Sequence, residues 1–477
     1  MHEKPLPVRW LENYSAPDED MINRKLQEAL KSFNRKIVVL DDDPTGTQTV
    51  HGVPIFTSWE ESSFDDGFAE EVGMFYILTN SRSFSAQKTK EAHAEIAKRM
   101  LKSARRAGVS FLCLSRGDST LRGHYPLETE TLRETLESAG DIKFDGEIIY
   151  PFLKEGGRVT IDNIHYVREG GELIPAAMTE FARDQSFGYA ASHLGEWCEE
   201  KTCGQYKARD MIYISLQSLR GLDIDGICAR LMSAENFNKI IVNSIDYCDV
   251  KVFCIALIDA MQKGKRFIIR GAAGVAKILG GITGKPLLTK SEIIPGDNGN
   301  GGIVIAGSHV QKTTAQIMAL KDCRKPVSFI EFDQHLALSE AGLEPEVKRV
   351  AAECERQMLE GNTVVVYTRR ERLDLDMEDS EAQLAFSVTI SDAVTGVIKR
   401  LRIRPGFIIA KGGITSSDVA TKALGIQKAT VMGQIQPGIP VWRMEAESKF
   451  PGMPFIVFPG NVGQEDTLKK MVETLTE

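Results

Sequence analysis

The residues Ile37-Val38-Val39-Leu40-Asp41-Asp42-Asp43-Pro44-Thr45-Gly46 place three consecutive carboxylates directly after four apolar side chains. The apolar run predicts a buried parallel strand, and the proline and glycine turn the chain where that strand ends. Ligands of open α/β sheets bind at the carboxyl ends of strands. Three adjacent carboxylates repel one another unless cations or N–H groups offset their charge. An acidic surface turn is the alternative, but the hydroxyl and amide side chains that follow favour a ligand site.

Short apolar runs alternate with helical patterns along both halves of the chain. Such alternation predicts an α/β fold of two domains, each with a mostly parallel sheet flanked by helices. In the first half, helices are predicted over 18–33, 86–107 and 128–139, and further strands over 74–78, 111–114, 148–150, 211–214, 240–242 and 267–269. In the second half, a helix is predicted over 312–320 and strands over 303–306, 327–330, 364–366, 407–410 and 455–458.

The stretch Pro295-Gly296-Asp297-Asn298-Gly299-Asn300-Gly301-Gly302 is too rich in turn formers to lie inside a helix or strand. It predicts a linker at 295–302 between an N-terminal domain, 1–294, and a C-terminal domain, 303–477. The cleft between two such domains is the expected place of an active site.

Polar clusters follow four strands of the first half, at 41–49, 79–83, 115–124 and 154–158. If these strands are parallel, all four clusters lie at one edge of the sheet. Guanidinium groups bind carboxylates with two hydrogen bonds, so the mixture of charges favours a small hydroxylated organic anion as ligand. Ordinary polar loops with surface ion pairs are the alternative. The charged residues in question are Arg82, Arg116, Arg122, Lys154 and Arg158, beside Asp42, Asp43 and Asp118.

Glycine-rich loops follow three strands of the second half and each opens a helix. They are Gly307-Ser308-His309, Lys411-Gly412-Gly413-Ile414-Thr415-Ser416-Ser417-Asp418 and Pro459-Gly460-Asn461-Val462-Gly463. Glycine allows the backbone to approach a ligand closely, and a helix N-terminus offers unpaired N–H groups to a phosphate. Domains of this class need glycines and helix caps in such loops for structure alone. The three together nevertheless favour nucleotide phosphates.

Composition narrows the class of protein. The 477 residues are 42% hydrophobic and 26% charged, as in an ordinary globular protein. A net charge of −8 without a basic block disfavours nucleic acid. No apolar run is long enough to cross a bilayer, and a signal peptide is not expected at the start, so a cytoplasmic location is predicted. The eight cysteines form no CxxC pair, and the GxxxxGK[ST], GxGxxG, GxSxG and HExxH motifs do not occur at the expected places.

The chain resembles the four-carbon acid sugar kinases, once catalogued as a domain of unknown function. Asp41–Gly46 is similar to their ADDLTGA-type motif, Thr79-Asn80-Ser81-Arg82 to their NTESR-type segment, and Gly117–Gly123 to their DSTLRG core. Gly412–Thr415 resembles their GGET-type loop, and Pro459–Gly463 their terminal glycine motif. The matches span residues 37 to about 470 in the family's order.

The resemblance implies an ATP-dependent kinase that phosphorylates a hydroxyl of a four-carbon-like sugar acid, with Mg²⁺ on the ATP phosphates. The expected partners are the sugar acid and ATP, and a homo-oligomer is compatible with the sequence. Asp42 and Asp43 are the candidates for catalysis. The substrate candidates are Asp41, Thr45, Arg82, Arg116, Asp118, Ser119, Arg122 and Lys154. The nucleotide candidates are Gly307, Ser308, His309, Gly412, Gly413, Thr415, Gly460, Asn461 and Gly463.

Departures from the family pattern leave two alternatives open. Pro44, Thr47-Gln48 and Asn80-Ser81 differ from the usual residues of the sugar-acid pocket, and Ile414 stands where glutamate is common. The alternatives are a metal-dependent hydrolase or aldolase acting on a sugar acid, and a non-catalytic sugar-acid-binding protein. The sequence identifies neither the substrate nor the metal ligands.

Overall fold

A computed structural model describes residues 3–15, 17–140, 142–296, 298–308, 310–371, 380–460 and 462–477. The chain divides into two compact units. The first comprises Met1–Pro54 and Ser58–Gly284, and the second comprises Ile55–Thr57 and Lys285–Glu477. None of the helices in these ranges is both long and apolar enough to cross a lipid bilayer.

Strands and helices alternate over much of the first unit. Its strands are β1 (Leu6–Pro7), β2 (Arg35–Asp41), β3 (Val53–Phe56, shared with the second unit), β4 (Met74–Leu78), β5 (Ser110–Arg116), β6 (Gly146–Tyr150), β7 (Arg158–Ile161), β8 (Ile164–Glu169), β9 (Glu172–Pro175), β10 (Ile212–Ile214), β11 (Asn238–Val242) and β12 (Phe267–Gly271). Its helices are α1 (Glu19–Ser32), α2 (Glu61–Ala69), α3 (Ala86–Ala107), α4 (Leu127–Ala139), α5 (Leu194–Lys201), α6 (Leu216–Arg220), α7 (Ile224–Met232), α8 (Tyr247–Gln262) and α9 (Ala273–Leu279).

The main sheet of the first unit is parallel, in the order β10-β11-β6-β12-β5-β2-β4. Its central strands are apolar because helices cover both faces, so consecutive side chains are all buried. Helix α3 begins where the Ser85 hydroxyl accepts a hydrogen bond from the Lys88 N–H, and it ends at Gly108 in the left-handed conformation. The predicted fold class is confirmed for this half.

A small antiparallel sheet accompanies the parallel one, in the order β1-β9-β8-β7. The sequence analysis did not predict it, because its strands are short and their hydrophobic runs are broken by charged residues such as Arg168 and Glu169. It packs by way of Val167 onto the cluster around Trp197 and Tyr125.

The second unit contains strands β13 (Ile303–Ala306), β14 (Val327–Phe332), β15 (Thr363–Thr368), β16 (Ile408–Lys411), β17 (Lys428–Gln436), β18 (Ile439–Met444) and β19 (Pro454–Phe458). Its helices are α10 (Lys290–Ile293), α11 (Gln311–Ala319), α12 (Glu344–Leu359), α13 (Ser380–Arg400), α14 (Gly413–Asp418) and α15 (Thr467–Thr476). Strands β19-β16-β13-β15-β14 are parallel, and the hairpin β17-β18 continues the sheet antiparallel beyond β19.

The division of the chain falls between Gly284 and Lys285, ahead of the linker predicted at 295–302. A residue before that stretch and a residue within it are both hydrogen-bonded to the second unit. The Leu288 N–H donates to the Gln434 carbonyl at 2.8 Å, and Leu288 packs in the apolar core of this unit. The Gly301 N–H donates to the Met358 carbonyl at 2.8 Å. The turn-forming residues at 295–302 therefore belong to the second unit and are hydrogen-bonded to it.

Candidate active site

The carboxyl ends of strands β2, β4, β5, β6 and β12 are in register at one edge of the parallel sheet. In the sheet register, Asp41 of β2 lies beside Leu78 of β4 and Arg116 of β5, and Gly271 of β12 lies beside Arg116 and Tyr150. The polar segments that follow these strands therefore start at one edge of the sheet, as expected for a ligand site in a parallel sheet.

Asp41, Asp42 and Asp43, here called the aspartate cluster, are held by two arginines. The Arg82 guanidinium binds both oxygens of Asp42, with Nη2 2.6 Å from Oδ1 and Nε 3.0 Å from Oδ2. Arg116 Nη1 lies 2.9 Å from Asp41 Oδ1 and 3.3 Å from Asp42 Oδ1. Arg82 Nη1 is also 3.5 Å from Asp43 Oδ2. Two cations thus offset three neighbouring carboxylates, which is how the repulsion noted in the sequence is relieved.

The three carboxyl groups differ in their affinity for protons. Burial raises the pKa of Asp41 to about 7 against the opposing charge of Arg116. Burial also raises the pKa of Asp42, although Arg82 and Arg116 oppose it. Burial alone would raise the pKa of Asp43, but the two arginines and hydrogen bonds from Thr45 outweigh it and hold that pKa below its ordinary value. Neighbouring carboxyl groups with pKa values moved apart are typical of acid–base sites.

Asp41 and Asp42 are buried, whereas the Asp43 side chain is partly exposed to solvent. The Asp42 side chain is 2% exposed and that of Asp43 is 16% exposed. Asp43 Oδ1 accepts a hydrogen bond from the Thr45 N–H at 2.8 Å, which fixes the turn after β2. A Cβ added at Gly46 would overlap the Asp41 carboxylate, so this turn requires glycine for close approach.

Asp118 and Arg122 form a second charged group at the end of β5. Arg122 Nε lies 2.6 Å from Asp118 Oδ2, and Arg122 Nη1 lies 3.6 Å from Asp184 Oδ2. The Arg122 guanidinium also lies over the Phe181 ring, 5.0 Å from its centre. Although burial opposes it, the charges of Arg122 and Arg82 and a hydrogen bond from Thr120 lower the pKa of Asp118 far below its usual range. Asp118 is therefore a permanent carboxylate, and Arg122 is engaged with two carboxylates.

Other predicted residues of the first unit take different places. Ser119 is buried, and its carbonyl is 2.8 Å from His165 Nε2. Lys154 is half exposed and pairs with Asp246, its Nζ 2.8 Å from Oδ2. In the described part of the chain no ion pair joins Lys154 to the aspartate cluster. Arg158 donates to the Gly156 carbonyl and lies 5.8 Å from the centre of the Phe181 ring, so it is on the Asp118 and Arg122 side of the edge.

Two buried residues at this edge were missed by the sequence analysis. Arg270, in β12, is 4% exposed, and its Nη2 is 3.2 Å from the Arg122 carbonyl. Glu128, at the start of α4, is 2% exposed and accepts a hydrogen bond from the Ser81 hydroxyl at 2.6 Å. The available signal for Arg270 was a cation inside the apolar run Phe267-Ile268-Ile269-Arg270-Gly271. Glu128 had no signal, since a glutamate in the first turn of a helix is ordinary.

In the second unit, two of the predicted glycine loops meet around Thr415. A Cβ added at Gly307 would lie 3.5 Å from Thr415 Oγ1, and one added at Gly412 would lie 3.7 Å from the same atom. Gly412 has φ of 110°, a conformation that favours glycine. Gly413 begins α14, and the neighbouring Ile414 is 62% exposed. The backbone of both loops is therefore open beside a hydroxyl group.

Two basic side chains that the sequence analysis did not select donate hydrogen bonds to the glycine loops. Arg370 binds the loop at Gly307, and Lys411 binds the loop at Gly460. Arg370 Nη1 donates to the Ser308 carbonyl at 2.9 Å, and its Nη2 donates to the Thr314 hydroxyl at 2.7 Å. Lys411 is fully buried, with Nζ 2.9 Å from the Pro459 carbonyl and 3.3 Å from the Gly460 carbonyl. Burial lowers the pKa of Lys411 to about 7, with a further contribution from Lys312.

The last glycine loop is fastened by α11 and α15. Gln316 Nε2 donates to the Val462 and Gln464 carbonyls at 3.3 and 3.0 Å. Gly463 has φ of 83° and packs against Thr467, whereas a Cβ at Gly460 would meet nothing within 4 Å. Gly460 thus leaves open space beside its backbone. His309 and Asn461, which were also predicted to bind the nucleotide, lie outside the described residues.

No group of three or more His, Cys, Asp or Glu side chains in the described ranges is placed to ligate a metal ion. The aspartate cluster is instead neutralised by Arg82 and Arg116. Asp418, in the second unit, is engaged by Lys422 at 3.1 Å and by the Ser391 hydroxyl at 2.8 Å. This donor set does not fit a Mg²⁺ ion held by the protein alone.

Solved structures with the same fold cover almost the whole chain. A Salmonella typhimurium LT2 protein provisionally described as a tRNA synthase superposes with a TM-score of 0.62 at 19% identity, over 91% of this chain and 98% of its own. The Haemophilus influenzae protein HI1011, of the DUF1537 family, superposes with a TM-score of 0.57 at 17% identity, over 92% of this chain and 100% of its own. Among curated proteins, no relative matches this sequence.

Two family models match the sequence in the order of the two units. The model of a sugar-binding N-terminal domain matches residues 37–279, and that of a nucleotide-binding C-terminal domain matches residues 303–468. The first match contains the aspartate cluster, Arg82, Asp118 and Arg270, and the second contains the three glycine loops. The chain therefore belongs to the family defined by this pair of domains, which is the architecture of the four-carbon acid sugar kinases.

Proposed function

We propose that the protein transfers the γ-phosphoryl group of ATP to a hydroxyl of a small sugar acid. One observation carries the proposal. At the carboxyl ends of the parallel strands of the first unit, arginines form ion pairs with buried aspartates within a sugar-binding domain. The nucleotide-binding domain of the same chain would bind ATP, the second substrate. Kinases need positioning and charge neutralisation more than covalent help from the protein, and such an edge provides both.

Asp43 is the proposed partner of the acceptor hydroxyl. It is the most exposed member of the aspartate cluster, and its lowered pKa keeps it ionised at neutral pH. An ionised carboxylate can accept a hydrogen bond from a hydroxyl and take its proton as the oxygen attacks phosphorus. Asp42 is occupied by Arg82 and Arg116, so we assign it the positioning of those arginines.

The open loops of the second unit are the proposed phosphate site. Backbone N–H groups beside Gly307, Gly412 and Gly460 would bind phosphate oxygens, and the Thr415 hydroxyl would add a donor. The Arg370 guanidinium has donors beyond its two hydrogen bonds and can contribute charge. In the transfer, the acceptor oxygen forms a bond to the γ-phosphorus, the bond to the bridging oxygen of ADP breaks, and Asp43 receives the proton.

Direct transfer requires the acceptor oxygen and the γ-phosphorus to come within bonding reach of each other. We therefore propose that both substrates are bound at the moment of transfer. Mg²⁺ would arrive on the phosphates of ATP, for which it has a strong preference when protein ligands are few. Among the described residues, no cluster of three or more His, Cys, Asp or Glu side chains is placed to hold this ion.

The test is ADP formation from ATP and Mg²⁺ with a panel of four- and five-carbon sugar acids. The proposal expects ADP release that depends on one acid and an equal amount of phosphorylated acid by ³¹P NMR. Thermal shifts with each ligand alone form the second arm, because binding of either ligand to the folded state raises the unfolding midpoint. Stabilisation by an acid without any phosphoryl transfer would indicate a binding protein, and cleavage of the acid without ATP would indicate a hydrolase or aldolase.

A further inference from the structure

Arg270 differs from Arg82, Arg116 and Arg122 in that, among the described residues, no acidic side chain forms an ion pair with it. Its guanidinium donates only to carbonyls, from Nη2 to that of Arg122 at 3.2 Å and from Nη1 to that of Gly271 at 3.4 Å. Its Nε has no hydrogen-bond partner. Within the described ranges no ion pair of Arg270 with an acidic side chain occurs.

The contrast with its neighbours is clear. Arg82 and Arg116 are paired with the aspartate cluster, and Arg122 with Asp118 and Asp184. A buried cation is costly unless an anion and hydrogen bonds compensate it. Arg270 is 4% exposed, so water provides little of that compensation. The charge of Arg270 helps to lower the pKa of the buried Glu128, but no ion pair between the two side chains is found in the described residues. A ligand anion would add the direct contact.

The space beside Gly123 shows where such an anion could lie. A Cβ added at Gly123 would be 3.4 Å from Asp42 Oδ2 and 3.7 Å from Arg270 Nη2. A Cβ added at Gly117 would overlap the Arg270 guanidinium. The two glycines of the Gly117–Gly123 segment therefore border a place that a carboxylate and a guanidinium both reach, and Gly123 itself is only half buried.

We infer that Arg270 binds the carboxylate of the acid substrate and thereby makes the site select acids over uncharged polyols. The inference rests on the proposed sugar-acid site and names its recognition group. Arg122 is the less suitable candidate, because Asp118 and Asp184 already neutralise it. Guanidinium and carboxylate form two parallel hydrogen bonds, which add geometric selection to charge. A site built around a charged partner discriminates strongly against analogues that lack it.

The test is calorimetric binding without nucleotide, using erythronate and threonate as acids and erythritol and threitol as their uncharged counterparts. The wild-type protein is expected to bind one acid at least about 10-fold more tightly than its polyol. Arg270→Gln should weaken the acid by about 10-fold or more and leave the polyol unchanged. Arg270→Lys should give an intermediate acid affinity. Arg209→Gln, at a side chain that is 84% exposed, is the matched control and should behave as wild type.

Equal losses for acid and polyol in Arg270→Gln, an unchanged acid affinity, or no saturable binding of any acid would overturn the inference. If Arg270→Gln does not fold, Arg270→Lys decides, because it keeps the charge but lacks the guanidinium fork. A wild-type acid preference in that variant would equally overturn it. The kinase proposal fails separately: Arg270-dependent acid binding without ADP formation would reject phosphoryl transfer and leave this inference standing. If ADP formation depends on the acid and Arg270→Gln keeps the full preference for acid over polyol, the kinase proposal stands and this inference is rejected.

Discussion

Arg82 and Asp42 form a two-point ion pair at the edge of the first-unit sheet, with nitrogen–oxygen distances of 2.6 and 3.0 Å. The two residues come from segments that follow neighbouring parallel strands, β4 and β2. The Arg82 N–H also donates to the Asp42 carbonyl at 3.3 Å, so the backbone of one loop is tied to the other. This pair joins the loop after β4 to the aspartate cluster.

Replacing Arg82 by methionine should destabilise the protein and not only impair its activity. Asp42 is nearly fully buried, and removal of Arg82 leaves its charge compensated by Arg116 alone, at a cost of about 3 kcal/mol. Urea unfolding of the wild type and Arg82→Met measures the difference. Arg106→Met is the control, since Arg106 is half exposed and its solvent-screened pairs with Glu61 and Asp65 should contribute much less to stability. Equal losses in both variants would contradict the expectation.

Asp43→Asn should abolish turnover while preserving the fold. The asparagine can still accept the Thr45 N–H but cannot take a proton, so kcat should fall roughly 100-fold or more. Acid binding measured by calorimetry should change little compared with turnover. An Asp43→Asn protein with wild-type kcat would remove Asp43 from the proposed role.

Gly46→Ala tests whether the tight turn after β2 sets the position of Asp41. The added methyl group would overlap the Asp41 carboxylate, so the turn must shift. We expect a loss of about 1–3 kcal/mol in unfolding free energy and weaker acid binding. Gly73→Ala is the matched control, because a Cβ there would meet nothing within 4 Å. If both variants match the wild type in binding, close packing at Gly46 does not shape the site.

The raised pKa of Asp41 predicts a pH dependence of stability. The folded protein keeps a proton on Asp41 between its ordinary pKa of 3.8 and about 7, where the unfolded chain has released it. The raised pKa of Asp41 therefore stabilises the folded protein fully at low pH, and this stabilisation is lost as the pH rises toward 7. Urea unfolding of the wild type and Asp41→Asn, between about pH 5 and pH 8, should show the wild type losing stability relative to the variant. Parallel curves would show that Asp41 does not titrate in this range.

Arg370→Gln should weaken nucleotide binding and leave the acid site intact. The variant loses a cation that holds the Ser308 carbonyl and the Thr314 hydroxyl beside the Gly307 loop. Loss of a charged hydrogen bond predicts roughly 10-fold weaker ADP binding by calorimetry. Arg369→Gln is the neighbouring control, because Arg369 pairs with Glu371 at 3.0 Å. An unchanged ADP affinity in Arg370→Gln, or an equal loss in Arg369→Gln, would exclude this role.

Strands and helices of the two parallel sheets could be predicted closely from the sequence. The helix predicted over 86–107 and the strands over 74–78 and 303–306 have the bounds of the structure. Apolar runs between turn formers are a local signal, and parallel strands buried on both faces retain it. The hairpin β17-β18 was missed because β17 alternates buried and partly exposed residues around Gly433, and the apolar residues of β18 are interrupted by Pro440 and Arg443.

Residues adjacent in the chain were enough to predict the fold class and to locate the acidic and glycine-rich loops. Which charges are already paired depends on contacts that form in the folded protein. Arg122 and Lys154 are matched by Asp184 and Asp246, which are 62 and 92 residues away in the chain. Among the described residues, Arg270 forms no ion pair with an acidic side chain, although Asp42 lies on the other side of Gly123. Charge compensation acts through space, so spacing along the chain does not reveal these long-range relationships.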